Sequence, residues 1–431
     1  MREQRTADWL SASEALRRMV AGVAPLGAEE RALLDALGRV LAEDVVSPVD
    51  LPPWDNSAMD GFAVRAADLA GASADAPRVL RVVDDVPAGR FPSRPVGPGE
   101  AIRVMTGAPV PEGADSVVRV EHTDGGEGIG TAEGRVRMFS DADGLRHVRP
   151  RGEDVRAGQA VLRAGTPLRA AEIAVAAGVG RARLRVVRRP VVAVVTSGDE
   201  LVELEDFDEV RAGRKIVSTN TYALAAQLAE SGVEARVLGI AADTPESLRA
   251  HLERAAGCDA LVTTAGISVG EHDYVLRVLR EMGTEVDFWR VSIRPGSALA
   301  FGRVGGLGGI PWFGLPGNPV STMVTFELFV RPALLRMCGH ARLHPPALQV
   351  VMRDRYSAAG GLMHFPRVRL HREDDGAVSA SLTGSQGSGV ATSMAAADAL
   401  LVVPADTDAA PGDVLRAVPL GASPRVEEPP F

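Results

Sequence analysis

Three loops of this chain gather the residue types that phosphate and divalent-cation chemistry needs. "TSGDEL" (196–201) offers Thr196, Ser197, Gly198, Asp199 and Glu200, and "TTAGISVGEHDY" (263–274) offers Thr263, Thr264, Gly266, Ser268, Gly270 and Asp273. "WFGLPGNPVSTM" (312–323) offers Pro316, Gly317, Asn318 and Pro319. Glycines let backbone approach a ligand, hydroxyls donate to oxyanions, and carboxylates hold hard cations. In the third loop Pro316-Gly317 suits a turn whose second corner needs φ > 0, Asn318 reads as an N-cap and Pro319 as the first helical residue. Such a junction turns free backbone N–H groups toward an anion. A plain strand-to-helix connection reads the same residues equally well. Taken singly, Asp199 and Asp273 suit helix caps, and Asp243 in "AADTPESL" is either a helix start or a functional acid. The convergence of three such loops is what favours a site.

Convergence requires a sheet. Apolar runs at 191–196, 234–240, 259–264, 286–292 and 310–315 read as strands, separated by helical spacing at 220–231, 245–256 and 273–282 and followed by 318–337. That alternation predicts a doubly wound, mostly parallel α/β domain, whose ligand crevice lies at the carboxyl ends of the strands. All three loops sit there.

The flanking segments differ in texture. "SEALRRMVAG" (13–22) and "AEERALLDAL" (28–37) have helical spacing, "VLAEDVV" reads as a strand, and 50–163 is a run of short β segments broken by Gly and Pro. "DGGEGIGTAEG" (124–134) suits a hairpin tip, and "AAEIAVAAGVG" (170–180) returns to helix. After Gly339 short β runs resume and end in the Pro-rich "SPRVEEPPF". The expected domains are therefore 1–49 with 150–188 as a two-segment helical and β domain, an inserted β-rich domain at 50–149, the α/β domain at 189–338, and a small C-terminal β domain at 339–431. Turn residues crowd "LPPWDNSAMDGFAVR" (51–65) and "MTGAPVPEGAD" (105–115), among them Asn56, Ser57, Asp60, Gly61, Thr106 and Gly107. Periodicity there gives no preference for function over plain turns.

Composition narrows the class. With 431 residues, 46% hydrophobic and 24% charged, the chain has ordinary globular values and no apolar run long enough for a membrane span. Its start, "MREQRTADWL", lacks an apolar leader stretch, so a cytoplasmic location is expected. A net charge of −9 gives no basic footprint for nucleic acid. Cys258 and Cys338 have no partner at metal-ligand spacing and are expected as buried filler. Lys215 is the only lysine, so any basic site is built from Arg.

Several longer segments carry a resemblance: "NSAMDGFAVR" (56–65), "MTGAPVPEGADSVV" (105–118), "RPRGEDVRAG" (149–158), "VAVVTSGDEL" (192–201), "ISVGEHDY" (267–274), "FWRVSIRPGSALAFG" (288–302), "GLPGNPVSTMVTFELFVRP" (314–332) and "GSQGSGVATSMAAADALLVVP" (384–404). In this order they resemble the molybdopterin molybdenumtransferase family, the MoeA proteins and the E domain of gephyrin. The resemblance implies a transferase of molybdenum cofactor biosynthesis that inserts molybdate into adenylylated molybdopterin and releases AMP. It further implies Mg²⁺ as companion ion, a four-domain subunit and a homodimer whose active site is shared between subunits, with transient contacts to other enzymes of the pathway.

The same resemblance assigns roles by position. Glu200, Asp243 and Asp273 match the family's functional acids, at least one of them a Mg²⁺ ligand directly or through water. Pro316 and Pro319 match functional prolines, with Ser268 and Ser321 beside them in the anion pocket. Asp60, Thr106, Arg149 and Asp154 match positions tied to activity, Asp60 foremost, and Ser393 matches one in the C-terminal domain. Arg290, Arg294 and Ser297 stand where the family has Lys; the two arginines are kept as anion-binding candidates, with a planar fork in place of a point charge. Ala265 stands where the family has Gly; if that backbone needs φ > 0, the loop must be rearranged. Two rivals are weighed. The adenylyltransferase of the same pathway would lack the inserted and C-terminal β domains. A scaffold of the gephyrin type could dispense with the acids, all of which are present.

Overall fold

The computed structural model describes residues 9–129, 134–266 and 274–421. The chain divides into two compact units, one comprising Met1–Glu43, Gly165–Arg169 and Arg183–Phe431, the other Asp44–Ala164 and Ala170–Ala182.

At the centre of the first unit lies a six-stranded sheet. Its strands are β1 (Val191–Ser197), β2 (Glu234–Ala241), β3 (Ala260–Thr264), β4 (Thr284–Trp289), β5 (Ala300–Val304) and β6 (Ile310–Leu315). The spatial order is β2-β1-β3-β6-β5-β4. β1 runs parallel to β2 and β3, and β3 runs parallel to β6, whereas β5 pairs antiparallel with both β6 and β4. The mostly parallel α/β layer is thus as the alternation predicts, with β5 added: "ALAFG" is short and carries Gly302, whose backbone lies so close to its neighbour that a Cβ would stand 2.4 Å from the Glu285 carbonyl oxygen.

Side chains alternate across this sheet and both faces are covered. Val192, Val194, Val262, Phe313 and Leu315 meet Leu224 and Leu228 of α1 (Thr219–Glu230) and the start of a helix at Pro319. Ala193, Val195, Leu261 and Trp312 meet Leu248 and Leu252 of α2 (Pro245–Glu253) and Val275, Val278 and Leu279 of α3 (Tyr274–Glu281). Each fully buried large side chain contributes about 1.5–3 kcal/mol. The helix opening at Pro319 is α4 (Pro319–Thr325), prolonged by a π segment over Phe326–Val330 and a further turn over Arg331–Met337.

The same unit holds a closed five-stranded barrel of Leu348–Met352, Val378–Leu382, Arg367–Arg372, Ala399–Val402 and Val414–Pro419, the C-terminal β domain. Helical spacing misleads at 28–37: Ala28–Ala32 is a strand, paired antiparallel with Arg183–Val187, and only Leu34–Ala36 turns, as a 3-10 segment. Pairing with a distant strand overrides local pattern here, reinforced by the Glu30–Arg183 ion pair at 3.2 Å. Both cysteines are free and buried.

In the second unit a five-stranded mixed sheet takes the order Ser116–Arg119, Gly61–Val64, Glu100–Val104, Arg78–Val86, Arg135–Met138. Phe62 and Val64 pack on one face with Leu80, Val118 and Met138, while Ala63 packs on the other with Ile102, Val104 and Val117. Of the expected hairpin tip, residues 130–133 lie outside the described residues.

Candidate active site

The carboxyl ends of β1, β3 and β6 open on one cleft of about 470 Å³. Thr196, Ser197 and Glu200 line it from the β1 end, Thr264, Ala265 and Gly266 from the β3 end, and Pro316, Gly317, Asn318 and Pro319 from the β6 end. A fourth wall is the strip Ile216–Asn220, which runs into α1. The short ladder of Leu201–Val202 with Ile216–Val217 fixes that strip, helped by the Ile216 amide donating to the Glu200 carbonyl at 2.9 Å.

Each wall has its own local cause. After β1 the chain turns at Gly198 (φ 152°), where a Cβ would meet the Glu200 carboxylate at 2.7 Å, so glycine is what lets that carboxylate fold back over the turn. The Asp199 amide donates to Asp243 Oδ2 at 3.3 Å and the Asp243 amide to Asp199 Oδ1 at 3.1 Å, tying the β1 mouth to the β2 mouth. Lys215 Nζ donates to the Asp199 carbonyl. The cap of α2 is Thr244, accepting from the Ser247 amide at 3.2 Å. Asp243 is therefore not occupied as the helix start that its sequence context allows.

After β3, Ala265 and Gly266 both adopt left-handed backbone (φ 67° and 65°). Ala265 thus takes up the left-handed backbone itself, where a rearranged loop was the expectation. After β6, Gly317 corrects the expectation of a left-handed turn corner: its φ is not positive, and a Cβ there would instead crowd Ala265 Cβ at 3.3 Å. Close approach of two loops, not turn type, is what favours glycine. Asn318 does hold the N-cap position and Pro319 the first helical one, but the Asn318 side chain makes no cap bond. It donates to Ser388 Oγ at 3.1 Å, while the Val320 amide donates to the Ser388 carbonyl at 3.0 Å. Thr322 Oγ1 holds the Pro316 carbonyl at 2.6 Å. α1 also starts without a side-chain cap bond, at Ser218.

Residues 10–180 match the family profile of the MoeA N-terminal region (domain I and II), 193–336 the probable molybdopterin binding domain, and 349–420 the MoeA C-terminal region (domain IV). The chain is 36% identical over 371 residues to a molybdopterin molybdenumtransferase of Nostoc sp., covering 86% of this chain and 83% of that protein. It is 34% identical over 409 residues to the Bacillus subtilis protein of the same name, covering 94% and 92%. It belongs to the MoeA family of molybdopterin molybdenumtransferases. A crystal structure of a molybdopterin biosynthesis MoeA protein from Pyrococcus horikoshii superposes with a TM-score of 0.81 at 27% identity, over 96% of this chain and 100% of that one. Relatives that match along nearly the whole chain, with both flanking MoeA regions, dispose of the adenylyltransferase rival.

The other MoeA positions fall in several places. Ser268 and Asp273 lie outside the described residues. Ser321 is buried within the first turn of α4. Arg290 is not among the described residues that line the cleft; it has φ 85° and its guanidinium carbon lies 5.1 Å from the Trp9 ring centroid and 4.7 Å from that of Trp289. Arg294 also lies off the cleft wall, on the short strand Ile293–Arg294 beside Met363–His364 of the C-terminal domain. Ser393 is buried, accepting from Arg367 Nε at 3.0 Å and donating to the Val390 carbonyl at 2.6 Å. The fully buried Arg367 also donates to the carbonyls of Ser385, Gln386 and Gly387. It thereby pins the loop that carries Ser388 to Asn318.

In the second unit Thr106 donates to Asp60 Oδ1 twice, from its amide and from its hydroxyl, both at 2.7 Å. These bonds hold the exposed Asp60 carboxyl below its usual range, the amide contributing most. Arg149 pairs with Asn56 in register and is exposed, and the Asp154 amide donates to the Leu51 carbonyl at 3.0 Å. Gly61 is obligatory next to Asp60, since a Cβ would stand 1.9 Å from the Val118 carbonyl oxygen.

Among the described residues there is no cluster of three His, Cys, Asp or Glu side chains placed to hold a metal. The carboxylates nearest the strand mouths are hard oxygen donors, Glu200 lining the cleft and Asp243 at the neighbouring strand end, held by Asp199. That set suits Mg²⁺, which keeps several waters and commonly takes only one or two carboxylates together with substrate phosphate. No described helix is long and apolar enough to cross a membrane.

Proposed function

We propose that this protein completes molybdenum cofactor synthesis by accepting adenylylated molybdopterin and molybdate and releasing AMP. Water attacks phosphorus as the phosphoanhydride bond breaks and AMP leaves, and two metal–sulfur bonds form as the two dithiolene thiols give up their protons to one molybdate oxide, which leaves as water. The carrying observation is the meeting, in one cleft with Glu200, of the start of α1, which lacks a side-chain cap, with the left-handed Ala265–Gly266 turn and the Pro316–Pro319 turn. Backbone donors at such a helix start favour phosphate oxygens. The Pro316–Pro319 turn opposite is held by Thr322, Asn220 and Ser388.

Glu200 and Asp243 are the residues that would hold Mg²⁺, with Asp273 as third acid on the resemblance alone. When bound, the ion neutralises phosphate charge and acidifies bound water. Asp199 positions Asp243, and Gly198 allows Glu200 its folded-back pose. Thr196, Ser197, Gly198 and Gly317 supply the close-packed floor. Ser268, Ser321, Arg290, Arg294 and Ser393 belong to the proposal through the resemblance, Ser393 acting through Arg367 on the loop of Ser388.

A homodimer is part of the reading. Asp60 of the partner subunit, with Thr106 of the partner subunit, Arg149 of the partner subunit and Asp154 of the partner subunit, completes a site shared between subunits in the cytoplasm.

The deciding experiment incubates the protein with adenylylated molybdopterin, Mg²⁺ and molybdate. AMP release coupled to active cofactor is the expected result. Absence of AMP under those conditions overturns the reading.

A further inference from the structure

The turn that carries Asp60 hangs between two backbone anchors of the second unit. On one side the Val120 amide donates to the Asp60 carbonyl at 3.1 Å, and Gly61 pairs in register with Arg119. On the other the Ala58 amide donates to the His147 carbonyl at 2.8 Å, and Ser57 pairs with Val148. A third tie, from the Gly107 amide to the Ser57 carbonyl at 2.8 Å, holds the loop of Thr106 to the start of the turn. The Asp60 end therefore stands against Thr106 only as well as the two anchors are aligned.

One carboxylate touches both anchors. Asp143, with no exposed surface, accepts from the Arg119 amide at 3.1 Å, from Arg119 Nε at 3.2 Å and from Arg119 Nη2 at 3.1 Å, and meets His147 Nε2 at 3.2 Å. His122 Nδ1 lies 3.0 Å from Oδ2, close enough for an ion pair when the ring is protonated but off hydrogen-bond geometry. Burial pushes the Asp143 carboxyl up, but Arg119 and then His147 outweigh it and hold it at about 2, so the group is charged through neutrality. The His147 anchor needs such a hold, because Leu145 and His147 both have left-handed backbone, with φ 56° and 64°. Backbone of that kind persists in non-glycine residues when the surroundings over-determine it. A buried ion pair is a poor source of net stability and a good one of registry between the elements it joins. We infer that Asp143 is a positioning residue, whose carboxylate locks the Arg119 and His147 anchors together and so sets where Asp60 stands against Thr106. The inference rests on the proposed function, in which Asp60 completes the site.

The test compares wild type with Asp143→Asn, which keeps the shape and removes the charge, and with His147→Asn, which tolerates the left-handed backbone and is too short to keep the ring contact. Carbon-detected NMR titration of Asp60 in the folded protein, without substrate, is read beside AMP release. Displacement of Asp60 lengthens its bonds from Thr106, so its pKa should move up toward 3.8 in Asp143→Asn and part of the way in His147→Asn. Since a misplacement of about 1 Å can cost roughly 100-fold, AMP release by Asp143→Asn should fall roughly tenfold or more. A merely stabilising carboxylate would lower the melting temperature and leave the Asp60 titration of the folded protein where it was. An unchanged Asp60 titration in Asp143→Asn therefore overturns the inference, and if that variant does not fold, an unchanged titration in His147→Asn overturns it alone. Full AMP release by Asp60→Asn overturns instead the functional reading of Asp60, and with it the part of Asp143 in the reaction; the two failures are distinguishable because the titration needs no turnover.

Discussion

Asp199 and Asp243 clasp each other across adjacent strand ends, each backbone amide donating to the other's carboxylate, at 3.3 and 3.1 Å. The clasp separates two roles that a row of acids leaves confounded. If Asp199 only positions Asp243, then Asp199→Asn, which keeps the Oδ1 acceptor, should retain near-normal AMP release. Asp199→Ala should lose roughly tenfold, about 1.4 kcal/mol. Asp243→Asn and Glu200→Gln should cost on the order of 100-fold with little change in melting temperature, by analogy with removal of a single electrostatic stabiliser. Steady-state AMP release checks all four. Asp199→Asn as poor as Asp243→Asn would instead make Asp199 a ligand in its own right.

A second expectation concerns packing beside Asp60. Gly61→Ala would put a Cβ 1.9 Å from the Val118 carbonyl oxygen, between two hydrogen-bonded strands with no flexible side chain to yield. Overpacking of this kind costs about 3 kcal/mol or more. Gly107→Ala is the control: φ is 83° but nothing lies within 4 Å, so only the left-handed penalty of about 1–2 kcal/mol applies. Chemical denaturation should rank the two variants in that order, and equal stabilities would contradict the geometry.

The α/β layer was legible in the sequence because its strands and helices alternate with clean periods, and three of the four cleft walls were legible through the strand-end rule. The fourth, Ile216–Asn220, was not. Nothing in "KIVSTNTYAL" distinguishes Asn220 from any polar residue near a helix start; its role comes from the Gly317 carbonyl it meets across the fold. Arg367 is silent for the same reason, since its burial depends on carbonyls of a loop 18–20 residues away. Ala28–Ala32 misled because apolar spacing is local, whereas its partner Arg183–Val187 lies more than a hundred residues on. Gly317 misled more subtly. Glycine has two uses, left-handed backbone and close approach, and sequence alone does not say which applies.

Asp60 supplies a pH expectation. Its folded-state carboxyl is held below the ordinary value of 3.8, first by the Thr106 amide and then by the Thr106 hydroxyl. A depressed acid contributes stability that is fully present above its unfolded pKa and lost as pH falls through the folded one. The contribution is thus constant through neutrality and disappears only in the acid range below about 4. Thr106→Val removes the hydroxyl and leaves the amide, so the Asp60 pKa should rise part of the way back. Carbon-detected NMR titration of the side chain measures this, and a value at or above 3.8 in the wild type would refute the pairing.

The last prediction joins Asp60 and Glu200 through the proposed dimer. Asp60→Asn and Glu200→Gln homodimers should each fall to about one hundredth of wild-type activity or less, because every shared site would carry one of the two substitutions. After mixing and subunit exchange, a hybrid dimer has one site that collects both substitutions and another that takes its Asp60 and its Glu200 from undamaged segments. Random pairing makes about half of the dimers hybrid, each with one good site of two, so recovered AMP release should approach roughly one quarter of wild type when sites act independently. A site built within one chain gives a different result: each chain keeps its own substitution, and mixing restores nothing. Mass spectrometry of the mixture establishes that hybrids have formed, so absence of recovery at that point counts directly against sharing. It would leave the Thr106–Asp60 bonds as a structural feature of the inserted sheet and return the search for the remaining catalytic acids to the α/β unit.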